Sequence, residues 1–438
     1  MTARGLRIVP SWEDAPGVVT PELAATWSRL TIDVDGNYAT WVEKDGTPRN
    51  GIYVSAYPLA EWIAFNWWFL MAEFRVSMHP VRTWTWSASS PESWLQRHNF
   101  RAAGSGMTWP DLTIVPEGST MHLAWFGRGP EDGDRGLRYL STASERLPSH
   151  LVKESLQRFV ESVVDRLRET GVSQTPLDRE WERIRSTDSE EAPIAEAVAR
   201  LGIDPYAINE PMADRVIGLD TKLDPELLVE FLDSVDPDRL SNAATWLEEA
   251  KRYLLTAHTI PPTLQPDLSG ISPLQKSDQG NRPWEIGYAA AREVRTALDW
   301  APTGLADPKQ LVTIHPLTTD SGGIEGYVET EHERVLVVPD VSISPTRLRF
   351  QAAHALGLSV LAPSRNRFVL DPAHTDLAQG ARAFAAELLA PAQGVAKYLE
   401  VLAGPTDAAF DAIAGRFDTS AAVVRWQYEN QISHGSSE

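Results

Sequence analysis

The 438-residue chain contains no cysteine, which excludes a disulfide framework, a thiolate nucleophile and a cysteine-ligated metal. It also lacks any long hydrophobic run. The most apolar stretch, from Trp62 to Met71, is far too short to cross a bilayer, and the opening MTARGLRIVPSWEDAPG has no apolar segment of signal-peptide type. The reading is therefore a cytoplasmic protein with no membrane partner. Positive charge is scarce: 40 Lys and Arg stand against 60 Asp and Glu, a formal charge of -20. A phosphate backbone repels such a surface, so nucleic acid is disfavoured as a partner. Low-complexity tracts are missing too, and with 42% hydrophobic and 23% charged residues the composition is that of a folding chain.

What is abundant is tryptophan. Eleven of the 16 Trp fall between Trp12 and Trp125, together with alternating runs such as LTIDVDGNYATWVEK that read as strands. Residues 1–150 are expected to form an aromatic-rich α+β domain. Within it Pro58 opens LAEWIAFNWWFLMAEF, where Leu59, Trp62, Ile63, Asn66, Trp67 and Leu70 recur at helical spacing and mark a core helix. From Leu151 the pattern turns to apolar residues at steps of three and four with charges between, predicting an all-helical domain over 151–260. The Pro-, Ser- and Gly-rich 261–282 reads as a linker. Residues 283–438 alternate helices and strands, so the whole is an α+β multi-domain protein.

The most informative segment is SISPTRLRFQAAHALGLSVLAP. Ser344 suits an N-cap, Pro345 a first turn, and Pro363 stops the helix. A second helix, DLAQGARAFAAELLAP, has Asp376 as its candidate cap and Pro391 just past its end. The stretch RLRFQAAHALGL resembles the R-F-x-x-A-H-E-L-G-H of ImmA/IrrE-type zinc metallopeptidases, and ARAFAAELLAP resembles their E-x-x-A-N-x-F-A-x-x-L-L-x-P. The helix GYAAAREVRTAL and the closing FDTSAAVVRWQYEN are similar to the family's flanking helices, so the resemblance covers roughly 283–430 and implies a zincin-like fold. Active members cleave repressors in stress-response, mobile-element and defence systems.

The chemistry of such a site needs two His four residues apart, a third ligand from the next helix, and a Glu that takes a proton from zinc-bound water. Here His354 stands at the first ligand position, but Ala355 stands at the base, Leu358 at the second ligand and Ala378 at the third. The packing residues Phe350, Ala353, Leu356, Gly357, Phe384, Ala385, Leu388, Leu389 and Pro391 match the family. The resemblance thus implies a pseudo-metallopeptidase without zinc or any other cofactor, used for regulation or for binding a protein partner.

The residues leave two other function classes open. One is an unorthodox hydrolase in which His354 joins His374, Asp371 or Asp376 of LDPAHTD in a displaced metal site. The other is a DNA-binding regulator using FDAIAGRFDTSAAVVRWQYEN as a helix-turn-helix, with Thr419 or Ser420 as cap and Arg425, Gln427 and Asn430 on different faces. ETEHER, with His332, reads as a hairpin turn. In the aromatic domain, TWTW, SWLQRHNF and MHLAWFG either fill a core or line a stacking pocket, with core favoured. The candidate small-ligand residues there are Trp94, Arg97, His98, Asn99 and Arg101, and truncating Arg97 or Arg101 is expected to leave stability nearly unchanged.

Overall fold

The computed structural model describes residues 5–433 except 16, 75–92, 128–135, 257–263, 265, 267, 269–270, 272–281, 332–333, 340–342, 371–374 and 403. The chain is a mixed α+β protein that divides into two compact units, Met1–Gly218 and Leu219–Glu438. Among the described residues, no helix is long and apolar enough to cross a membrane.

In the first unit β1 (Leu6–Trp12) and α1 (Pro21–Ala25) lead to β2 (Trp27–Val34), which pairs antiparallel with β1, β3 (Asn37–Tyr38) and, after β4 (Val42–Lys44) and β5 (Thr47–Arg49), with β6 (Ile52–Ser55). The aromatic run is two helices, α2 (Tyr57–Phe65) and α3 (Trp67–Ala72), where periodicity predicts one. The break is Asn66, whose backbone leaves helical geometry (φ -108°, ψ 13°) while its side-chain amide donates to the Trp62 carbonyl at 2.8 Å. After α4 (Ser93–His98), β7 (Asp111–Glu117), β8 (Thr120–Phe126) and β10 (Ala143–Pro148) form an antiparallel sheet, and β9 (Leu137–Tyr139) pairs with β4.

The next helix corrects the expected boundary at residue 150. On α5 (Ser149–Glu169), Val152, Leu156, Phe159, Val160, Val163, Val164 and Leu167 are buried in the same core as Leu30, Trp62 and Trp125. Ser155 Oγ donates to the Leu6 carbonyl at 2.5 Å. Helices α6 (Pro176–Ser186) and α7 (Glu191–Arg200) join this core, with Trp67 and Trp181 edge to face at 5.1 Å between ring centroids. An amphipathic helix has to cover its apolar stripe with something, and these three cover the aromatic domain. The unit boundary falls instead in α8 (Glu210–Asp220).

The second unit takes the remaining helices of the expected middle domain, α9 (Pro225–Ser234) and α10 (Leu240–Thr256), followed by α11 (Pro283–Ala297). Of the expected linker, Leu268 and Ile271 are buried in this unit's core, whereas 261–263, 265, 267, 269–270 and 272–281 lie outside the described residues. Strands β11 (Thr313–Leu317), β12 (Tyr327–Glu329) and β13 (Val335–Pro339) precede α12 (Pro345–Leu361), and β14 (Arg367–Val369) follows it. The sheet order is β11-β13-β12-β14, with β11 parallel to β13 and the other pairs antiparallel. The hairpin expected at ETEHER is the β12–β13 connection; His332 itself lies outside the described residues.

Helix α13 (Asp376–Leu389) packs on α11 and α12 at glycines. A Cβ on Gly287 would strike the Gly380 carbonyl, and one on Gly357 would lie 2.9 Å from the Phe384 ring and 3.0 Å from the Ala381 carbonyl oxygen. Helices α14 (Ala392–Val401), α15 (Asp407–Phe417) and α16 (Ala421–Gln427) close the unit around Phe410, Ile413, Phe417 and Val424.

Candidate functional site

Helix α12 begins where the sequence signals it: Ser344 Oγ accepts from the Arg347 amide at 3.3 Å. Ten of its residues, Arg349, Gln351 and His354 among them, are buried. Positions 354 and 358 share a face because four residues are one turn plus a tenth. The cap of α13 is Thr375, not Asp376; its Oγ1 accepts from the Ala378 amide at 3.2 Å, and Asp376 opens the helix itself.

The four positions where the resembled family does its chemistry are closed to solvent: His354 is 6% exposed, Ala355 1%, Leu358 3% and Ala378 4%. Nε2 of His354 is buried and has no hydrogen-bond partner among the described residues. Burial, and then the positive charge of Arg382 on α13, push the imidazole down from its ordinary 6.5 to about 3, so it is neutral at every physiological pH. The Phe350 ring lies beside it, 6.4 Å between centroids.

These residues do not fit zinc. One imidazole replaces the three or four ligands such an ion requires, a leucine fills the second ligand position, and a cation that opposes protonation opposes a divalent ion for the same reason. Of the displaced set, His374 and Asp371 lie outside the described residues. The buried acid that α13 does carry, Glu387, is committed elsewhere: it accepts from Arg292 Nε at 2.9 Å, Gln427 Nε2 at 2.7 Å and the Ala392 amide at 3.1 Å. Arg425 of α16 pairs with Asp407 at 2.6 Å and lies over Phe410, and Gln427 is buried on Glu387. Two of the three side chains proposed to read DNA are thus bound within the fold. Ser420, not Thr419, caps α16.

In the first unit the polar run of α4 is brought together around a residue that sequence reasoning missed, Glu73. Arg97 Nε donates to Glu73 Oε2 at 2.7 Å, and its second nitrogen also pairs with the carboxylate. His98, fully buried, places Nε2 3.1 Å from Glu73 Oε2 and Nδ1 2.8 Å from the Ile114 carbonyl, while Trp94 stacks on its ring at 4.3 Å. Burial raises the Glu73 carboxyl, but Arg97 and His98 outweigh it and hold the group below its ordinary range. Asn99, likewise buried, donates to Asp111 at 2.6 Å and Thr113 at 2.8 Å and accepts from the Arg101 amide at 3.0 Å.

A second acid repeats the theme, Glu117 with Arg146 Nε at 2.8 Å and His122 Nδ1 at 3.6 Å. Glu73, Arg97, His98 and Asn99 thus hydrogen-bond within the fold. The indole N–H groups of Trp62, Trp68, Trp109 and Trp125 are bound to protein acceptors at 2.9–3.1 Å, so these rings are core. TWTW lies outside the described residues. Compared with known proteins, the chain matches no family model and no curated protein.

Proposed function

We propose that residues 283–438 are a metallopeptidase-like domain of ImmA/IrrE type whose metal site and catalytic base have been erased, and that the protein acts by recognition. Its role is that of a regulatory or sensing component, binding a protein partner, in a bacterial stress-response, mobile-element or phage-defence system. The setting follows from the resemblance; the loss of chemistry follows from the residues. One observation carries the reading: at four positions where hydrolysis needs two imidazoles and two carboxylates open to water, the chain has one neutral imidazole, two alanines and a leucine, all nearly inaccessible. Packing selects for alanine and leucine there, and neither binds an ion nor moves a proton.

The reading is tested by restoring what it says was lost. Leu358→His adds an imidazole one turn beyond His354, Ala378→Glu adds a carboxylate at the start of α13, and Arg382→Ala removes the opposing charge. The triple variant is expected to bind zinc at micromolar affinity or better, measured by calorimetry, as three converging ligands do. A variant that is folded by circular dichroism yet binds none would mean that α12 and α13 do not stand in the metallopeptidase relation.

A further inference from the structure

The sheet built by β1, β2 and β6 turns one face to the core of the first unit and the other to solvent. Side chains alternate along its strands. Leu6, Ile8, Leu30, Ile32, Ile52 and Val54 are buried, whereas Val9 of β1 and Tyr53 of β6 are 51% and 42% exposed. The register lines up the outward residues: Val9 stands opposite Thr31, and Ser11, Arg29 and Tyr53 form one row across the three strands. This open field has two ends. At one, α1 meets the face and Ser55 Oγ donates to the Leu23 carbonyl at 2.7 Å; at the other, Arg7 pairs with Asp33 at 2.6 Å.

Between those ends the charge is carried by Arg29 and Arg49, both at Tyr53. Arg29 is its cross-strand neighbour and donates to the side-chain carbonyl of Asn50, a neutral acceptor. Gly51 gives it room, since a Cβ there would lie 3.2 Å from the Arg29 Cγ and Nε. The Arg49 guanidinium lies over the Tyr53 ring, its Cζ 5.3 Å from the centroid, and its Nε is buried with no hydrogen-bond partner among the described residues. Among the described residues neither guanidinium pairs with a carboxylate. In a chain with 60 Asp and Glu against 40 Lys and Arg, two neighbouring cations without an acid make a field opposite in sign to that of the whole.

Charge complementarity calls for an anionic occupant, and a guanidinium holds a carboxylate by two parallel hydrogen bonds. Small ligands bind in concave sites that bury most of their surface, so an open sheet face suits a macromolecule. A polynucleotide would bring one phosphate per residue against a net charge of -20, which two guanidinium groups offset only in small part. Tyrosine and arginine together are the residues on which protein interfaces most depend. We propose that the outer face of this sheet, at Val9, Arg29, Thr31, Arg49 and Tyr53, docks an acidic segment of a protein partner, with carboxylates on the two guanidinium groups and Tyr53 as the anchor that binding buries. The inference rests on the part of the proposed function that gives this protein a protein partner, and not on its metal site, so failure here leaves the zinc measurement untouched.

The test selects binders of the full-length protein from a library of displayed random peptides and titrates the recovered peptides by fluorescence anisotropy against wild type, Arg29→Ala, Arg49→Ala, Tyr53→Ala and Tyr53→Phe. The peptides are expected to be enriched in Asp and Glu and to bind more weakly as salt rises. Each alanine variant, shown by circular dichroism to be folded, is expected to lose about tenfold in affinity or more, and Tyr53→Phe, which keeps the ring, to bind as wild type does. Recovery of no acidic peptides, or acidic peptides whose affinity is unchanged in the folded alanine variants, would overturn the proposal. So would a single-stranded oligonucleotide that binds wild type more tightly than the peptides and is lost in the same variants, for the occupant would then be nucleic acid.

Discussion

His354 holds a neutral imidazole where water does not reach, and this makes it an acid-sensitive point. In the unfolded chain it takes a proton near its ordinary 6.5, whereas in the fold it resists until about 3. The unfolded state therefore binds more protons between those values, and the folded state loses stability as pH falls through that window. Between pH 7 and pH 4, wild type is expected to lose about 3 kcal/mol relative to His354→Leu, measured by denaturant unfolding at a series of pH values. A gap that does not change with pH would show that the imidazole charges inside the fold. At the same scale, Arg97 corrects the expectation drawn for it. Its guanidinium answers the carboxylate of buried Glu73, so Arg97→Ala is expected to destabilise the first unit by roughly 2–4 kcal/mol, since it leaves that carboxylate in the interior with His98 as its remaining partner on α4. The sequence displays Arg97, His98 and Asn99 as a polar cluster but hides their partner: Glu73 is a single acid at the end of an apolar run, and only the fold brings it to α4.

At the scale of elements, local signals are the most readable. Proline and Ser344 announce α12 to the residue, because a cap and a fixed φ act within one turn and need no tertiary help. The break at Asn66 was not readable, since Trp, Phe and Leu keep their helical spacing on both sides of it; what breaks the helix is a backbone departure at one residue. The contact of α12 with α13 rests on the absence of a side chain at Gly357. Gly357→Ala is expected to cost about 1–3 kcal/mol in thermal or denaturant unfolding, in spite of alanine's better helix propensity, because the ring of Phe384 and the carbonyl of Ala381 leave no room for a methyl group. Stabilisation by this substitution would mean that the two helices sit further apart than described.

At the scale of the molecule, the sequence marks where composition changes, and the fold marks where contacts change; the two differ. Tryptophan density falls away after residue 125, yet the core those tryptophans build is finished by α5, α6 and α7. Amphipathic periodicity shows that a helix has a face to bury without showing against what, so a helical run looks like a domain when half of it belongs to the one before. A fragment ending at residue 150 is expected to lack a cooperative melt, and one ending near residue 220 to unfold cooperatively, because only the second keeps Leu156, Phe159 and Trp181 in place. The residue types at positions 354, 355, 358 and 378 are legible in the sequence, and the proposed loss of a metal site rests on them. Their burial and the charge of Arg382 beside them are not, being products of packing. The most direct measurement on that site is the zinc content of the full-length protein by elemental analysis, after expression with zinc supplied and dialysis against a mild chelator. Far less than one zinc per chain is expected, and about one zinc per chain would contradict the proposed loss of the metal site.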